Sequence, residues 1–370
     1  MNFDFSEDEK ALRSALRRVL ADQCGIKTVR LALNGDSLPG LELWETLGRF
    51  GWLSASLPEA YGGQGLGYAA LCGIAEELGH ALAPVPLSSF FLVSEALLLA
   101  GSEGQKRTYL PGLARGETSA AAAFAETLGP LAAANVSTVY EDGRLSGTKI
   151  AVVDGFDADL ALVPAREEGQ VHLFLADLQD DRVARETQSS IDPTRPLALL
   201  RFMGATAEPL GGDRRADWIV LERLLDRAAV LTAFEQLGGA AAALSMARDY
   251  ALNRHAFGRP IGGFQAIKHK LADVYIANEL ARSNAYYAAW ALATDAAELP
   301  LAAATARVCA TEAFERAARE LIQTHGAAAI TWDHDCQFYY RRSRHLALAL
   351  GAPAQWRKRL VSELSVAHSA

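Results

Sequence analysis

The chain has 370 residues, of which 50% are hydrophobic and 22% are charged. This length suffices for two or three packed units, and the composition is typical of a globular protein rather than a fibrous or disordered one. The net charge of -8 at pH 7 disfavours a large phosphate-neutralising surface, so we expect no nucleic-acid partner.

The terminus and the apolar stretches predict a cytoplasmic protein with no membrane partner. The first residues are acidic and no apolar core follows them, unlike a signal peptide. Residues 90–100 are the most apolar stretch, but it contains Ser94 and Glu95 and is too short for a bilayer. Four cysteines without CxxC spacing predict reduced thiols, with neither a disulfide nor a metal site. They are Cys24, Cys72, Cys309 and Cys336.

The first third of the chain predicts helices. Ser6 and Glu9 have the spacing of a capping box, and apolar residues then repeat at helical intervals up to Leu20. The glycine-rich segment 61–67 does not follow a strand and does not fit G-x-G-x-x-G, so we interpret it as a turn. Further helices are predicted at residues 41–50, 69–82 and 90–99.

The periodicity changes from about residue 116. Alternating residues from Val136 to Tyr140 lead into Asp142-Gly143, a strong signal for a two-residue hairpin, and residues 145–153 form the returning strand. Further strands are predicted at residues 160–164, 171–175 and 197–202. This middle part is predicted to be a small β domain.

Long helices resume after residue 217. They are predicted at residues 218–253, at residues 264–299 with Pro300 ending the helix, and at residues 301–324. Their alanine-rich apolar faces predict a tight bundle that also buries surface in an oligomer. The predicted fold is mainly α with a central β domain, and the absence of βαβ alternation excludes a Rossmann fold. The predicted domains are a helical domain (1–115), a β domain (116–216) and a helical bundle (217–370).

Three motifs connect this order of elements to a known family. They are Arg254-His-Ala-Phe-Gly-Arg-Pro-Ile-Gly-Gly-Phe-Gln265, Gln323-Thr-His-Gly326 leading to Thr331-Trp-Asp-His-Asp335, and Tyr339-Tyr-Arg-Arg-Ser-Arg344. Together with residues 1–20 and 44–67, they resemble the acyl-CoA dehydrogenase family over essentially the whole chain. The resemblance implies an N-terminal helical domain, a middle β-barrel domain and a C-terminal four-helix bundle.

The resemblance also implies a chemistry. Family members bind FAD and remove two hydrogens from an acyl-CoA thioester: a glutamate takes the α proton, and the β hydrogen leaves as hydride. It further implies an electron-acceptor flavoprotein and a dimer or tetramer in which each flavin lies between two subunits. One subunit surrounds the reactive ring, and the other reaches across to the diphosphate and adenosine.

The residues that would act on a neighbouring subunit's flavin are largely present. By resemblance, Arg254 would contact the diphosphate, where a fixed cation suits two negative charges. Ala327 and Ala329 stand where the family usually has glycine, which hinders close approach of the backbone. The cofactor-binding residues carried over from the family are Arg254, Phe257, Gln265, Gln323 and Gly326.

The residues that would surround the chain's own flavin ring are depleted. Phe124-Ala125-Glu126 stands where the family has a flavin-bonding threonine before a glutamate, and Ala151-Val152-Val153 replaces an aromatic-x-Thr segment. The loop that usually reads Tyr-Glu-Gly-Thr is Ala349-Leu350-Gly351-Ala352, so Leu350 occupies the position of the catalytic glutamate.

No other residue replaces that glutamate convincingly. Some relatives carry the base on the helix before Arg254, where ungapped alignment gives Ala228. A shifted register would bring in Asp226, but we interpret Asp226-Arg227 as a solvated charge pair. We interpret residues 333–335 as part of a structural loop or an interface.

Three functions therefore stay open. The first is a subunit of a heteromeric acyl-CoA dehydrogenase that shares its flavin with a homologous chain; by resemblance, such enzymes act on bulky steroid side-chain CoA esters. The second is a homomeric dehydrogenase with a relocated base, with Asp226 as the first candidate. The third is a flavin monooxygenase of the same fold. We rank them in this order.

Overall fold

The structure, a computed structural model, describes residues 6–367, with side chains described up to residue 365. The first five residues, which belong to the segment 1–20 that carries part of the resemblance, lie outside the described residues. The described residues divide into two compact units. The first contains residues 6–39, 68–83 and 229–367, and the second contains residues 40–67 and 84–228.

Helices dominate both ends of the chain. They are α1 (Glu7–Gln23), α2 (Ile26–Leu33), α3 (Leu38–Arg49), α4 (Gly67–His80), α5 (Leu87–Ala100), α6 (Glu103–Ala114), α7 (Trp218–Asn253), α8 (Gln265–Ala293), α9 (Leu299–His325), α10 (Cys336–Leu348) and α11 (Pro353–Ala367). The strands are β1 (Ala120–Ala122), β2 (Val139–Glu141), β3 (Arg144–Val153), β4 (Leu160–Glu167), β5 (Gln170–Asp177), β6 (Val183–Gln188), β7 (Leu197–Pro209), β8 (His255–Ala256) and β9 (Arg259–Pro260). The predicted fold class, mainly α with a central β domain, is confirmed.

A capping box sets the start of α1. The Glu9 N–H donates to the Ser6 side chain at 3.2 Å, and the Ser6 N–H donates to the Glu9 carboxylate at 2.7 Å. Two orphan donors of the first turn are thus satisfied, which confirms the predicted helix start. Segment 61–67 is a turn, as predicted: Gly62 and Gly65 have φ of 84° and 63°, a region that glycine enters without strain.

The central β domain is a closed sheet in the second unit. Asp142 and Gly143 have φ of 48° and 80°, as the predicted two-residue hairpin between β2 and β3 requires. The pairing runs β4-β2-β3-β7-β5, and β5 also pairs with β4, so the sheet closes into a barrel. Its interior is filled by small and aromatic apolar side chains such as Phe174 and Phe202. β2 is shorter than predicted and begins only at Val139.

The long C-terminal helices agree with the sequence except at one proline. α7 has the predicted bounds, but α8 ends at Ala293, and Leu299 and Pro300 begin α9. The prediction that Pro300 ends the second helix was wrong. Proline lacks only an N–H that is unpaired in the first turn anyway, so it fits a helix start as well as a stop.

α7 is also the one helix among the described residues that is long and apolar enough to cross a membrane. That test uses length and composition alone, and 78% of the apolar window is buried inside the fold. A core helix passes the same test, so this finding carries little weight for a membrane span.

Candidate flavin site

The segment between α7 and α8 is a short, exposed structure in the first unit. α7 ends at Asn253, the two-residue strands β8 and β9 form a hairpin, and α8 begins at Gln265. Phe257 lies in the hairpin turn with φ of 53° and is 94% exposed. The Phe257 ring is therefore accessible to a ligand or to another chain.

Arg254 and Gln265 stand at the two ends of this segment, and both are exposed. The Arg254 backbone is fixed at both sides, because its N–H donates to the Tyr250 carbonyl and its carbonyl accepts from Ile261, each at 2.8 Å. Its guanidinium makes no hydrogen bond or ion pair with another described residue. The N-cap of α8, Phe264, has no side-chain cap, so the first N–H groups of that helix can meet an anion.

The second predicted loop follows α9 directly. Gln323 is exposed in the last turn, and Gly326 caps the helix with φ of 68° and ψ of -144°, donating its N–H to Ile322. That conformation is open almost only to glycine. Of the two alanines that replace family glycines, Ala329 is buried and Ala327 is exposed. Only Ala327 therefore lies where a ligand could contact it.

A stacked ring pair brings the two segments together within the first unit. The rings of Tyr250 and His325 stack with centroids 3.9 Å apart. Tyr250 lies one turn before Arg254, and His325 lies between Gln323 and Gly326. We call the surface formed by Arg254, Phe257, Gln265, Gln323 and Gly326 the dinucleotide face. A cation, an apolar wall, two amides and a bare helix N-terminus fit a flat anionic dinucleotide.

Sequence reasoning missed Tyr250 and His325. Tyr250 lies four residues before Arg254, which is one helical turn. This spacing was the signal available for the tyrosine. His325 lies within a quoted motif, but its stacking partner comes from a distant part of the chain.

The residues at the chain's own ring position lie in the second unit and do not fit a flavin ring. Val152 is 1% exposed in the barrel core. The Ala125 carbonyl accepts from the Ile150 N–H at 2.8 Å, and the Ala151 N–H donates to the Gln188 side chain at 2.7 Å. These two backbone groups are therefore satisfied internally, and the alanine and valine side chains offer a ring no hydrogen bond.

Glu126, the remaining carboxylate of that region, is committed to structure. Lys149 donates to it at 2.5 Å, and the Ser137 N–H donates at 2.7 Å. Burial alone would raise the pKa of Glu126, but the charge of Lys149 and these hydrogen bonds lower it to about 2. Such a carboxylate is a poor proton acceptor near neutral pH.

The loop at the position of the family's catalytic glutamate keeps a defined shape without the acid. Leu350 has φ of 61°, and its carbonyl accepts from the Trp356 indole at 3.1 Å. The Arg307 guanidinium donates to the carbonyls of Leu346 and Ala349 at 2.5 and 2.7 Å. The loop is thus held from both sides, and at position 350 it presents only an aliphatic side chain.

Asp226 is not part of a solvated charge pair, so that interpretation was wrong. Asp226 and Arg227 are 3% and 6% exposed, and Arg227 donates to Glu95 of α5 at 3.0 Å. The apolar turns of α7 and α5 bury the charges, and burial of a charge requires a partner. Asp226 therefore lies in a buried polar group of the second unit, and Ala228, the ungapped alignment position, is buried as well.

The loop after α9 is tied to α2 by an arginine. Arg30 donates to the Asp335 carboxylate at 2.5 Å and to the Asp333 carbonyl at 2.8 Å. Next to this ion pair, His325, His334 and Cys336 bring ligand atoms within 4.8 Å of one another, a cluster that sequence reasoning missed. All four cysteines are free.

Comparison with known proteins identifies the family over most of the chain. The acyl-CoA dehydrogenase N-terminal domain matches residues 6–117, and the C-terminal domain of the same family matches residues 218–361. The chain is 34% identical to the acyl-CoA dehydrogenase IpdE2 of Mycobacterium tuberculosis, over 97% of this chain and 98% of that protein. It is also 34% identical to the acyl-CoA dehydrogenase FadE27 of the same organism, over 88% of each.

Solved structures agree over nearly the full length. The ChsE4–ChsE5 complex from Mycobacterium tuberculosis has a TM-score of 0.87 at 29% identity, covering 99% of both chains. A variant of the Tcur3481–Tcur3483 steroid ACAD has a TM-score of 0.89 at 29% identity, covering 98% of this chain and 99% of that one. With two family domains, full-length relatives and a matching fold, the chain belongs to the acyl-CoA dehydrogenase family of FAD-dependent oxidoreductases.

Proposed function

We propose that this chain is one subunit of a heteromeric acyl-CoA dehydrogenase, lending its dinucleotide face to an FAD whose ring and base belong to a homologous partner chain. The observation that carries the proposal is the contrast between the two half-sites. Arg254, Phe257 and Gln265 stand exposed on one surface, whereas the chain's own ring position is apolar and its base position holds Leu350. A division of labour between subunits accounts for both.

In this function the chain's residues bind and orient the cofactor rather than move protons. Arg254 would hold the diphosphate by charge-assisted hydrogen bonds, Phe257 would wall the dinucleotide, and Gln265 would bond it with its amide. Bound FAD supplies the hydride acceptor. Fixed positions for these groups lower the entropy cost of holding the cofactor against the substrate.

The proposed substrate class is a bulky, steroid-derived acyl-CoA thioester. Support comes from two structures at 29% identity, one a ChsE4–ChsE5 complex and the other a steroid ACAD. An electron-acceptor flavoprotein would reoxidise the flavin, and we propose a cytoplasmic location for the assembly. Fractionation of the host cell, with the chain followed by immunoblot, tests the location.

One observation supports a second candidate, a homomeric dehydrogenase that uses Asp226 as base. Asp226 is a carboxylate on α7 that is 3% exposed, and positioned carboxylates serve as general bases in enzymes. In that case Asp226→Asn should slow acyl-CoA-dependent flavin reduction by about 10²–10⁴-fold.

The visible absorbance spectrum separates the two candidates. The chain is purified alone and then after co-expression with a homologous chain encoded nearby. A colourless chain alone and a yellow complex with one flavin per pair are expected. A yellow homomer with one FAD per chain, bleached anaerobically by an acyl-CoA, would overturn the shared-site proposal. A yellow homomer that instead consumes oxygen while hydroxylating its substrate would identify a monooxygenase.

A further inference from the structure

We propose that His325, His334 and Cys336 form a binding site for a borderline transition-metal cation, with Zn²⁺ as the best fit. His325 ends α9, Cys336 begins α10, and His334 lies in the turn between them. One ligand atom from each side chain lies within 4.8 Å of the other two. Two imidazoles and a thiolate form a donor set that binds such cations in preference to the hard cations Mg²⁺ and Ca²⁺. We call these three residues the His–His–Cys cluster.

His325 is oriented as a metal-binding histidine is. Its Nδ1 lies 2.9 Å from the Leu321 carbonyl, to which it donates, so the lone pair of Nε2 is free. Tyr250 stacks on its ring, and the His334 ring meets it edge-on with centroids 5.0 Å apart.

Cys336 supplies the sulfur from the buried side of the cluster. Its side chain is fully buried at the first turn of α10. A Zn²⁺ ion displaces the thiol proton when it binds the sulfur as thiolate. Two neutral imidazoles and one thiol thus take up Zn²⁺ and release one proton, with no change in oxidation state.

The cluster needs a small rearrangement to reach zinc geometry. Bonds of about 2.1 Å to nitrogen and 2.3 Å to sulfur imply ligand separations of about 3.5 Å in a tetrahedron, so the side chains must close by about 1 Å. His334 can move because it is half-exposed, and the bond holding it, from the Cys336 N–H to its Nδ1, is long at 3.3 Å. A water molecule is the expected fourth ligand.

None of the three residues belongs to the dinucleotide face, so the metal proposal does not rest on the proposed flavin role. A bound cation would nevertheless affect the neighbouring turn. His325 immediately precedes Gly326, so a cation would fix the turn that carries part of that face.

The test is metal binding by the purified chain and, separately, by its complex with the partner. Metal content is measured by inductively coupled plasma mass spectrometry, followed by Zn²⁺ titration against a chromophoric chelator. One Zn²⁺ per chain with micromolar or tighter affinity, and release of about one proton per Zn²⁺, are expected. Cys336→Ser and His334→Asn should each weaken binding by more than about tenfold. Cys309→Ser, which changes a thiol outside the cluster, should leave binding unchanged.

Two results would overturn the site. One is wild-type protein that binds no Zn²⁺ at micromolar concentrations, and the other is Cys336→Ser protein that binds it as tightly as wild type. Should the buried Cys336→Ser variant fail to fold, His334→Asn and Co²⁺ substitution of the wild type decide the matter. Bound Co²⁺ without a thiolate-to-metal absorption band would exclude Cys336 as a ligand. The flavin content of the complex is recorded in parallel, so failure of the shared flavin site is seen separately.

Discussion

Arg254 shows at the residue scale how a local motif and a tertiary position combine. The motif could be recognised from the sequence because its residues are neighbours in the chain. The sequence could not show that Arg254 is exposed and has no ion pair among the described residues, because exposure depends on what packs nearby. An exposed guanidinium of this kind is suited to binding an anion, which is the role proposed for Arg254.

Replacement of this arginine tests its role directly. Arg254→Gln should lower the flavin affinity of the heteromeric complex by about 10–100-fold, because a hydrogen bond to a charged group contributes about 1.5–3 kcal/mol. Flavin retained after gel filtration and a fluorescence titration of FAD measure this. The control is Arg248→Gln near the end of α7, which removes an exposed arginine already paired with Asp249 at 2.7 Å. Equal flavin loss in both variants would contradict a specific contact.

Leu350 gives a second prediction at this scale. Leu350→Glu restores the family's carboxylate in a loop that keeps its shape, yet the homomer should gain no acyl-CoA-dependent flavin bleaching. The reason is that residues 124–126 and 151–153 still offer the ring no hydrogen bonds. The measurement is anaerobic bleaching by an acyl-CoA in FAD-supplemented homomer. Bleaching by Leu350→Glu but not by Leu350→Gln would show that the chain holds a complete ring site and needs only a base.

The fate of Asp226 shows where residue-level prediction from sequence stops. Leu-Leu-Asp-Arg at the start of a long helix is a common surface pattern, and nothing local distinguishes it from a buried one. Arg227 and Glu95 lie 132 residues apart and meet only because α7 packs against α5. The charge pair is buried because its partner is supplied from elsewhere in the fold.

At the scale of elements, one buried side chain of α9 holds the end of α10 and the loop after it by hydrogen bonds. Arg307 is 1% exposed and donates to carbonyls at the C-terminal end of α10 and in the 349–352 loop. It also donates to Gln236 of α7 at 2.9 Å. A helix end leaves its last carbonyls unpaired, and this guanidinium satisfies them in place of water.

Arg307→Met should therefore lower the free energy of unfolding by about 3 kcal/mol, because several buried acceptors lose their donor at about 1–3 kcal/mol each. Urea unfolding followed by circular dichroism measures the change. Arg316→Met, an exposed arginine on the same helix, serves as the control and should change stability by less than about 0.5 kcal/mol. Similar effects for the two variants would show that the carbonyl contacts are unimportant.

Elements that sequence reasoning missed share a physical cause. β1 consists of three alanines, a residue with low strand propensity, and it is a strand only because it pairs with β4. α6 contains Pro111, which reads as a helix breaker. β6 is an edge strand without clear alternation and is held by pairing with β7. Long-range pairing outweighed weak local preference in each case.

For the whole molecule, charge burial makes stability depend on pH. In the first unit Glu77 of α4 accepts from Arg13 and Arg17 of α1 at 2.9 and 2.7 Å and is 3% exposed. Burial alone would raise the pKa of Glu77, but the hydrogen bonds and charges of the two arginines lower it on balance. The unfolded chain then binds more protons as the pH falls, so this stabilisation is full above the ordinary carboxylate pKa of about 4.3 and is lost below it.

Glu77→Gln tests this linkage. At pH 7 the variant should be less stable by about 3 kcal/mol, because two arginines lose a buried partner. The difference should shrink as the pH falls through the lowered pKa of Glu77, where the wild type loses its own charge. Thermal unfolding of both proteins across that pH range measures it. Glu7→Gln, an exposed acid paired within α1, is the control, and a pH-independent difference for Glu77→Gln would contradict the linkage.

The sequence by itself determined the family and the succession of a helical region, a β region and a second helical region. These features rest on chain-local signals: the capping box at Ser6, the Asp142-Gly143 hairpin, and the motif from Arg254 to Gln265. Each is set by backbone geometry or by residues within one turn or loop. Such signals can be recognised without knowledge of contacts between residues that are distant in sequence.

Only the tertiary structure decided what is buried and what meets across the chain. Stacking of Tyr250 on His325 joins the two parts of the dinucleotide face, Arg227 finds Glu95, and His325, His334 and Cys336 come together. Periodicity indicates an apolar face but not its partner. The burial of these groups follows from packing between elements that are distant in sequence.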